Sequence, residues 1–383
     1  RPMRWCCFWV VCDRGISRSW HRLDPDRRLR LALSASARCQ HVRTGRCFPY
    51  TVALCDLRSG LARKAPMELI RGRHNLRPEH RNCFATIGNF DGVHIGHQAI
   101  FRALKARALR LAAPTTAIVF EPQPSEYFAP DGAPARLTRL REKLNALDRA
   151  DVDWVQCLRF DRVLSDLTPD EFVHRVLVEG LGVRYLAVGD DFRFGAGRQG
   201  DFGTLQAAGR RHGFEVEDTP TVQLDGRRVS STWVREALEA GDLDLATRLL
   251  GRYYRICGRV AQGQRLGRQL GFPTANIALH RRVSPLQGVF AVTVEGAGLH
   301  GHPGVANVGR RPTVGGVVPQ LEVHLLNFDN DLYGQHLEIG FHHRIRPERR
   351  FESLNALRDQ IQRDAVAAHN WLNAHPALQP SIG

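Results

Sequence analysis

The stretch TIGNFDGVHIGHQAI, residues 86–100, joins a buried apolar run to a glycine and two histidines. The run that begins at Phe84 predicts a buried strand, and Gly88 lets the backbone approach a ligand closely. HIGHQAI predicts the start of a helix, where free N–H groups and the helix dipole attract an anion. His94 and His97 could therefore be metal ligands, phosphate contacts or ordinary polar residues at a helix start.

A metal site is the weakest of these three interpretations. Zinc needs at least a third ligand, and no Cys or Glu stands near His94 and His97 at ligand spacing. Two imidazoles beside the free N–H groups of a helix could instead stabilise the charge of a phosphate during its transfer. The residues thus favour a phosphate site, with a purely structural role still open.

Residues 84–222 alternate between strand-like runs and helical patterns. The strand-like runs are FATIGNF, TTAIVF, WVQCLRF and YLAVGDDF, and the helical patterns are GHQAIFRALKARALRLAA, LTRLREKLNALDRA and PDEFVHRVLVEGL. Such a series predicts a parallel sheet covered by helices, with ligands at the carboxyl ends of the strands. GNFDGVHIGH, FEPQPSEYF and GDDFRFGAGRQGD follow strands, so we expect them at that edge.

The pattern changes near residue 250, after two short predicted helices, STWVREALEAG and DLDLATRLLG. Period-2 runs separated by glycine-rich turns follow, namely YYRICGRVAQG, GVFAVTVEG, GVANVG, LEVHLLNF and HLEIGFHHRIR. They predict an antiparallel barrel or sandwich, closed by an amphipathic helix over residues 351–372. We therefore predict domains at 67–250 and 251–383.

Residues 1–66 differ in composition from the rest of the 383-residue chain. They hold 14 basic and 4 acidic residues, a net charge of +10, against +5 for the other 317 residues, and six of the nine cysteines. We predict that they are a non-native or disordered extension and that the protein begins at Met67; a transit peptide or a disordered basic arm are the alternatives.

Composition also excludes some classes of protein. Because most of the net charge of +15 lies before residue 67, it does not indicate nucleic-acid binding. No apolar run reaches about 18 residues, so no transmembrane helix is predicted. Cys83, Cys157 and Cys257 show no CxxC spacing, which is typical of a reduced cytoplasmic protein.

The opening stretch resembles the HxGH nucleotidyltransferase superfamily. The match is carried by the pattern G-x-F-D-x-x-H-x-G-H, formed by Gly88, Phe90, Asp91, His94, Gly96 and His97. VGDDFRFGAGRQGD and VSSTWVREAL narrow the resemblance to the adenylyltransferase module of bacterial bifunctional riboflavin kinase/FMN adenylyltransferases. The resemblance extends over about residues 67–372 and implies a Rossmann-like nucleotidyltransferase domain followed by a β-barrel riboflavin kinase domain.

For the first module the resemblance implies attack of the FMN phosphate on the α-phosphorus of ATP, with pyrophosphate leaving. His94, His97 and Arg235 would be catalytic, and the nucleotide would contact Gly88, Phe90, Asp91, Gly96, Ser230, Ser231 and Thr232. Ser230 or Ser231 could instead simply cap a helix. The flavin would lie in the loop of Asp190, Asp191 and Phe192, although the two aspartates alone could be a turn.

For the second module the decisive motif is GRQLGFPTANI, residues 267–277. A hydroxyl and an amide oxygen suit Mg²⁺, and a polar turn is the alternative. The resemblance implies that Gly267, Thr274 and Asn276 bind the nucleotide and that Thr274 and Asn276 hold Mg²⁺. In LEVHLLNF, alternation puts Glu322 and His324 on one strand face, and the resemblance makes Glu322 the base for the riboflavin 5′-hydroxyl.

Three further details of the second module concern Asn327, a predicted loop and three glycines. Asn327 replaces the Asp that is typical of the family. GVANVGRRPTVGG is expected to be a loop near the flavin and the nucleotide, and Arg310 and Arg311 would be surface charges or phosphate contacts. Gly258, Gly263 and Gly267 are expected to be turn glycines in a flap over the nucleotide.

The sequence as a whole predicts a bifunctional enzyme that makes FMN from riboflavin and FAD from FMN. ATP would be the co-substrate and Mg²⁺ the cofactor, with riboflavin, FMN and ATP as small-molecule partners and no nucleic acid or membrane. We expect a cytoplasmic monomer or weak homo-oligomer. The alternatives are that one activity alone survives, or that the chain is a basic nucleic-acid-binding protein.

Overall fold

A six-stranded parallel sheet forms the first half of the fold. The computed structural model describes residues 66–375 apart from 190, 220, 263–266, 268–269 and 314–315, and describes 310–313 and 316–318 by backbone alone. The strands are β1 (Glu68–Arg71), β2 (Phe84–Ile87), β3 (Thr115–Glu121), β4 (Trp154–Arg159), β5 (Tyr185–Val188) and β6 (Glu215–Asp218). Their order is β1-β4-β3-β2-β5-β6, and every neighbouring pair is parallel. The predicted parallel sheet is confirmed, whereas the predicted extension lies outside the described residues except for Pro66.

Helices cover both faces of this sheet, as the alternating sequence pattern predicts. They are α1 (Ile95–Arg110), α2 (Pro124–Phe128), α3 (Leu140–Arg149), α4 (Arg162–Ser165), α5 (Pro169–Phe172) and α6 (Phe202–His212). A π-helical segment, Val173–Val178, continues α5, and short 3₁₀ helices occupy Pro78–His80 and Ala196–Arg198. Odd-numbered β3 and β4 residues such as Val119 and Val155 pack on the side of α1 and α3, while Ile118 and Leu158 pack on the opposite side.

The end of β2 places the opening stretch at the carboxyl edge of the sheet. The predicted strand is confirmed: it ends at Ile87, and residues 88–94 form a loop that leads into α1. Phe90, Gly92 and Val93 in this loop all have positive φ, of 43°, 81° and 44°. The loop therefore turns sharply and places both histidines at the start of α1. This start lies at the carboxyl edge of the sheet, where parallel sheets bind ligands.

The second half of the fold is a closed antiparallel barrel. A hairpin of β7 (Gln223–Leu224) and β8 (Arg227–Arg228) and the helices α7 (Ser231–Ala240) and α8 (Leu243–Leu250) precede it. The barrel strands are β9 (Tyr254–Ala261), β10 (Ala275–Ala278), β11 (Gly288–Gly296), β12 (Leu299–Thr313), β13 (Gly316–Leu325) and β14 (His336–Arg346). They close in the order β10-β13-β12-β11-β14-β9, and α9 (Leu354–Ala374) packs outside on β11 and β12. The predicted barrel and C-terminal helix are confirmed.

The helical hairpin α7–α8 shares one hydrophobic core with the barrel. Buried residues of the two helices, such as Trp233 and Leu249, belong to the same cluster as Ile256, Phe290 and Phe341 of the barrel. The described residues of the two halves accordingly belong to one compact unit. The predicted domain boundary at 250 falls at the end of α8, inside this shared packing.

The structure corrects two expectations about the barrel. The period-2 run GVANVG is confirmed as a strand, but the loop expected for GVANVGRRPTVGG is wrong over residues 304–313, which lie in β12 and pair with β13. Residues 314 and 315 lie outside the described residues. Gly258 lies within β9, where a Cβ would come within 2.5 Å of Ile277 Cγ2, so close strand packing and not a turn requires the glycine. Gly263 lies outside the described residues.

Candidate functional site

His94 forms the N-cap of α1 through its imidazole. The backbone N–H of His97 donates to His94 Nδ1 at 3.3 Å, which satisfies one of the unpaired donors at the helix start. Because Nδ1 accepts this bond, the proton of a neutral His94 lies on Nε2. The helix start thus presents an imidazole N–H together with its backbone donors. The structural and functional interpretations of His94 are therefore compatible.

The two imidazoles stack on each other, with ring centroids 3.6 Å apart and planes 17° apart. Burial lowers the pKa of His94 to about 4; Asp91 opposes this shift, while Arg252, Arg228 and Arg235 reinforce it. Burial, the neighbouring His94 and the ammonium of Lys143 hold the pKa of His97 well below its usual value. Both rings are therefore neutral near pH 7 and can offer N–H donors to a phosphate without carrying a charge.

Two glycines and Phe90 set the position of these rings. A Cβ on Gly96 would lie 3.0 Å from His94 Nδ1, and a Cβ on Gly88 would lie 3.1 Å from the Phe90 ring. Phe90 is buried and meets His97 edge-on, with ring centroids 5.2 Å apart. Phe90 therefore packs against the His97 ring, while the absence of a Cβ at Gly96 and Gly88 leaves room for the rings of His94 and Phe90.

Asp91 is the centre of a buried hydrogen-bond network. It accepts bonds from the backbone N–H groups of Leu137 and Thr138, and its Oδ2 lies 2.5 Å from Arg235 Nη2. Arg235 Nε also donates to the carbonyl of Ala135 at 2.6 Å. Asp91 is 3% exposed, so its carboxylate faces protein and holds Arg235 in place.

The start of α7 lies against the same loop. Ser230 is the N-cap of α7 and accepts a bond from the N–H of Trp233, and Ser231 donates to the carbonyl of Asp91 at 2.9 Å. Thr232, by contrast, is exposed. The N-termini of α1 and α7 are thus joined through Asp91, which brings the predicted nucleotide residues into one region.

The predicted flavin loop is only partly described. Asp190 lies outside the described residues, and Asp191 is exposed, with its Oδ2 3.4 Å from Arg228 Nη2. Phe192 stacks on Phe194 and packs against the hydrophobic core on the α5 side of the sheet. This loop therefore connects to the β7–β8 hairpin through the Asp191–Arg228 pair.

In the barrel, one cavity of about 420 Å³ collects the predicted kinase residues. Gly267, Thr274 and Asn276 line it from the motif around β10, and Glu322 lines it from β13. Asn276 and Glu322 are direct partners in the β10–β13 register. The opposite face of β13 is core, since Leu321, Val323 and Leu325 are buried there, as the alternation predicts.

Gln320 links the two central side chains of this cavity. Its Nε2 donates to Asn276 Oδ1 at 2.5 Å and to Glu322 Oε1 at 3.1 Å. His324, on the same strand face, bonds to the carbonyl of Pro273 at 2.9 Å and meets Phe272 edge-on. The strand face of β13 therefore fixes both Glu322 and the segment that carries Thr274 and Asn276.

The donors of this cavity fit a hard divalent cation. Thr274 contributes a hydroxyl and Asn276 an amide oxygen to the lining, and Glu322, Glu348 and Asp364 contribute carboxylates. Oxygen donors of this kind are those that Mg²⁺ prefers. Among the described residues, in this cavity as well as outside it, no group of three or more His, Cys, Asp or Glu side chains is arranged to hold a metal ion.

Sequence reasoning missed four side chains that the structure brings to these sites: Gln320, Arg228, Lys143 and Arg252. Period-2 alternation could have found Gln320, two residues before Glu322. The buried Lys143 Nζ, which has no hydrogen-bond partner among the described residues, acts electrostatically on His97 from α3. No local pattern marks the other two, because their roles arise from tertiary contacts.

Two family models match the chain in succession. The model for FAD synthetase matches residues 76–233, and the model for riboflavin kinase matches residues 250–372. The first match contains the histidines at the start of α1, and the second contains the barrel cavity.

Curated relatives match over most of the chain. A bifunctional riboflavin kinase/FMN adenylyltransferase from Pseudomonas fluorescens is 57% identical over 79% of this chain and 97% of its own length. The protein of the same description from Escherichia coli (strain K12) is 53% identical over 80% of this chain and 98% of its own.

A solved structure also shares the fold. A protein described as a macrolide-efflux protein from Streptococcus pneumoniae has a TM-score of 0.67 and 27% identity, covering 80% of this chain and 100% of that chain. In the part of the chain that the structure describes, no helix combines the length and apolar character needed to cross a membrane.

Proposed function

The chain belongs to the family of bifunctional riboflavin kinase/FMN adenylyltransferases, and from this we propose how its residues divide the two reactions. The riboflavin kinase domain phosphorylates riboflavin to FMN with ATP. The FAD synthetase domain adenylylates FMN to FAD and releases pyrophosphate. The proposals below concern the residues that perform each step.

For adenylylation, we propose that the starts of α1 and α7 bind the ATP phosphates. His94 and His97 donate N–H bonds to phosphate oxygens as neutral imidazoles, while Arg235, held by Asp91, supplies positive charge. Ser230, Ser231 and Thr232 bind the phosphates from the start of α7, and Arg228, which pairs with Asp191, adds positive charge beside them. In this assignment Gly88, Phe90, Asp91 and Gly96 shape the site. The loop of Asp190, Asp191 and Phe192 receives the flavin.

Adenylylation requires no covalent nucleophile on the protein. The FMN phosphate oxygen forms the new bond to the α-phosphorus, and pyrophosphate leaves with the electrons of the broken bond. The protein positions the two substrates and stabilises the negative charge that develops.

For the kinase step, we propose that Glu322 accepts the proton of the riboflavin 5′-hydroxyl as that oxygen forms a bond to the γ-phosphorus of ATP. The bond between the γ-phosphorus and the bridging oxygen breaks, and ADP leaves with the electrons of that bond. The observation that carries this proposal is the single cavity in which Gly267, Thr274, Asn276 and Glu322 meet. Gln320 donates to Glu322 and so orients its carboxylate. Mg²⁺, held by Thr274 and Asn276, would neutralise phosphate charge when bound.

The remaining features of the proposal are coarser. The two domains are proposed as 67–250 and 251–383, which agrees with the family matches ending at 233 and beginning at 250. We propose a cytoplasmic protein that is monomeric or weakly self-associating. Size-exclusion chromatography with light scattering measures the oligomeric state directly.

A crossed assay tests the division of labour between the two sites. The full chain is supplied with ATP and Mg²⁺ and with either riboflavin or FMN, and products are separated by chromatography. Glu322→Gln is expected to slow FMN formation by roughly 10²–10⁴-fold because the base is lost, while FAD formation from supplied FMN continues. His97→Ala is expected to do the reverse.

Matched controls separate these effects from general damage. Glu295→Gln removes another strand glutamate, in β11 and outside the residues that line the cavity, and His174→Ala removes a half-exposed histidine. Both are expected to leave both reactions within about twofold. Normal FMN formation by Glu322→Gln would reject its role as the base, and normal FAD formation by His97→Ala would reject the phosphate site.

A further inference from the structure

The loop that carries the two histidines is held by an arginine from the other side of the domain boundary. Arg252 lies within the segment matched by the riboflavin kinase family, two residues before β9. Its Nη2 donates to the carbonyl of Gly92 at 2.6 Å, and its Nη1 donates to the carbonyl of Val93 at 2.9 Å. These carbonyls belong to the FAD synthetase segment, 159 or more residues earlier in the chain.

The loop needs such support because its backbone is strained. Val93 is β-branched yet has φ of 44°, and Phe90 has φ of 43°. Side chains of L-residues disfavour this region by about 1–2 kcal/mol each, so surrounding contacts must hold the loop there. Within the loop, the backbone bond from Val93 N–H to Phe90 C=O, at 3.2 Å, contributes part of this restraint.

Gln98 completes the connection between the loop and α8. Its Nε2 donates to the carbonyl of Val93 at 2.9 Å and to that of Leu250 at 2.7 Å, and Arg252 Nη1 reaches the same Leu250 carbonyl at 3.1 Å. A Cβ on Gly251 would lie 3.0 Å from Ile95 Cγ2, so this glycine allows the chain to pass close to the start of α1.

Arg252 also contributes charge to the site. Burial and the nearby Arg149 and Arg255 lower the pKa of Arg252 to about 10, which leaves it protonated at neutral pH. Its positive charge helps to keep both His94 and His97 neutral. The Arg252 guanidinium thus binds the carbonyls of Gly92 and Val93, and its charge also acts on the imidazoles of His94 and His97.

We infer that Arg252 is a positioning residue for adenylylation, contributed by the kinase segment, which fixes the carbonyls of Gly92 and Val93 and thereby the imidazoles of His94 and His97. This inference rests on the proposed phosphate-binding role of those histidines. Its consequence is that formation of FAD depends on a residue that formation of FMN does not use.

Arg252→Ala and Arg252→Lys in the full chain test the inference. For Arg252→Ala, kcat of FAD formation from supplied FMN is expected to fall by roughly 10–10²-fold, because reacting groups shift, with KM for FMN changed by less than about threefold. FMN formation from riboflavin stays within about twofold. Arg252→Lys retains the charge and one donor, so its kcat is expected to recover at least about threefold relative to Arg252→Ala.

Arg255→Ala is the matched control, because Arg255 lies three residues further on and binds Glu338 instead of the loop. It is expected to leave FAD formation within about twofold. Equal loss of both activities in Arg252→Ala, or FAD formation within twofold of wild type, would overturn the inference. His97→Ala is assayed in parallel: if it impairs FAD formation and Arg252→Ala does not, the inference fails while the proposed site stands.

Discussion

His94 combines two tasks in one side chain, since it caps α1 and offers an N–H to the phosphate region. The cap is the bond from His97 N–H to Nδ1, and the ring is 6% exposed. An asparagine could perform the first task but not the second, because Asn caps helices well and lacks an imidazole. This difference makes the two contributions separable.

We predict that His94→Asn folds but forms FAD roughly 10²–10³-fold more slowly, because one hydrogen-bond donor to the transferred phosphate is lost.

The same substitution is expected to weaken the dependence of the unfolding free energy on pH. The pKa of His94 is about 4 in the folded state and 6.5 as the ordinary value, so the unfolded chain binds more protons between these pH values. Unfolding free energy therefore falls as pH falls through that window.

Urea titrations at pH 7 and pH 5 measure this effect. The decrease in unfolding free energy from pH 7 to pH 5 is expected to be about 2 kcal/mol smaller in His94→Asn than in the wild type. Asp91, Arg252, Arg228 and Arg235 face the ring and remain in the variant, and His97 and His342 still titrate. An unchanged pH dependence would show that His94 is not buried in its neutral form.

At this scale the sequence predicts the residues that carry chemistry better than those that hold them. Gly267, Thr274, Asn276 and Glu322 were predicted and meet in one cavity, since they lie in short motifs with recognisable spacing. Arg252 was missed because its partners, Gly92 and Val93, are distant in sequence. A long arginine side chain in a short linker has no periodicity that reveals its target.

Among the structural elements, the loop between β2 and α1 leaves little space for an added side chain. Gly92 has φ of 81°, and a Cβ there would lie 2.8 Å from Leu137 Cδ1 and 3.4 Å from Leu250 Cδ2. Leu137 is fully buried, so it has little space into which to move. Any side chain at position 92 would therefore be destabilising in two ways, through the positive φ and through the close contact with Leu137.

We predict that Gly92→Ala lowers the unfolding free energy by about 2–4 kcal/mol, of which about 1 kcal/mol is the backbone conformation and the rest overpacking. Gly213→Ala is the matched control, since Gly213 has φ of 78° and an added Cβ there meets nothing within 4 Å. Thermal or denaturant unfolding gives both values. A loss in Gly92→Ala no larger than that in Gly213→Ala would contradict the packing argument.

Elements with strong periodicity were predicted, and short polar ones were not. The inner strands of the sheet and helices α1, α3, α7 and α8 follow their sequence patterns. The edge strand β6, with the sequence EVED, is mostly exposed, and β7 and β8 have two residues each, so none of them shows an apolar pattern. The second part of β12 does not show a strand pattern, because glycines, arginines and a proline interrupt its alternation, and the sequence therefore predicts a loop there.

For the molecule as a whole, a buried ion pair joins the sheet to the barrel. Glu142 of α3 pairs with Arg281, which follows β10, and their side chains are 5% and 1% exposed. Glu142 also accepts from Cys257 N–H at 3.0 Å, and Arg281 donates to Tyr254 Oη at 2.6 Å. Burial disfavours the charged form of Arg281, but the proximity of Tyr254 and Glu142 outweighs it and raises the pKa of Arg281, so the guanidinium remains charged.

We predict that Arg281→Met lowers the unfolding free energy by about 3–5 kcal/mol, because it leaves the Glu142 carboxylate buried without its partner. The double variant Glu142→Gln/Arg281→Met should recover part of this loss. Arg282→Met is the control, since Arg282 forms a solvent-exposed pair with Asp131 that is worth at most about 1 kcal/mol. Denaturant titration followed by circular dichroism measures all three variants. Equal losses in Arg281→Met and Arg282→Met would contradict the prediction.

The architecture of each half of the fold is predictable from the sequence, whereas the contacts that join the two halves are not. Alternating strands and helices, followed by period-2 runs, specify a parallel sheet and then an antiparallel barrel. Neither pattern indicates that Glu142 meets Arg281 or that α7 and α8 complete the barrel core. Those contacts depend on strand order and side-chain shape over the whole chain.

The shared core of the α7–α8 hairpin has a consequence for synthesis on the ribosome. Trp233, Leu238 and Leu249 are made before β14, which ends at Arg346 and supplies Phe341 to the same cluster. While the chain is still growing, the sheet has all of its strands, but the apolar face of this hairpin lacks its barrel partners. We expect the nascent chain to expose this apolar surface during that interval, and the hairpin to complete its packing only after the last strand of the barrel has been made.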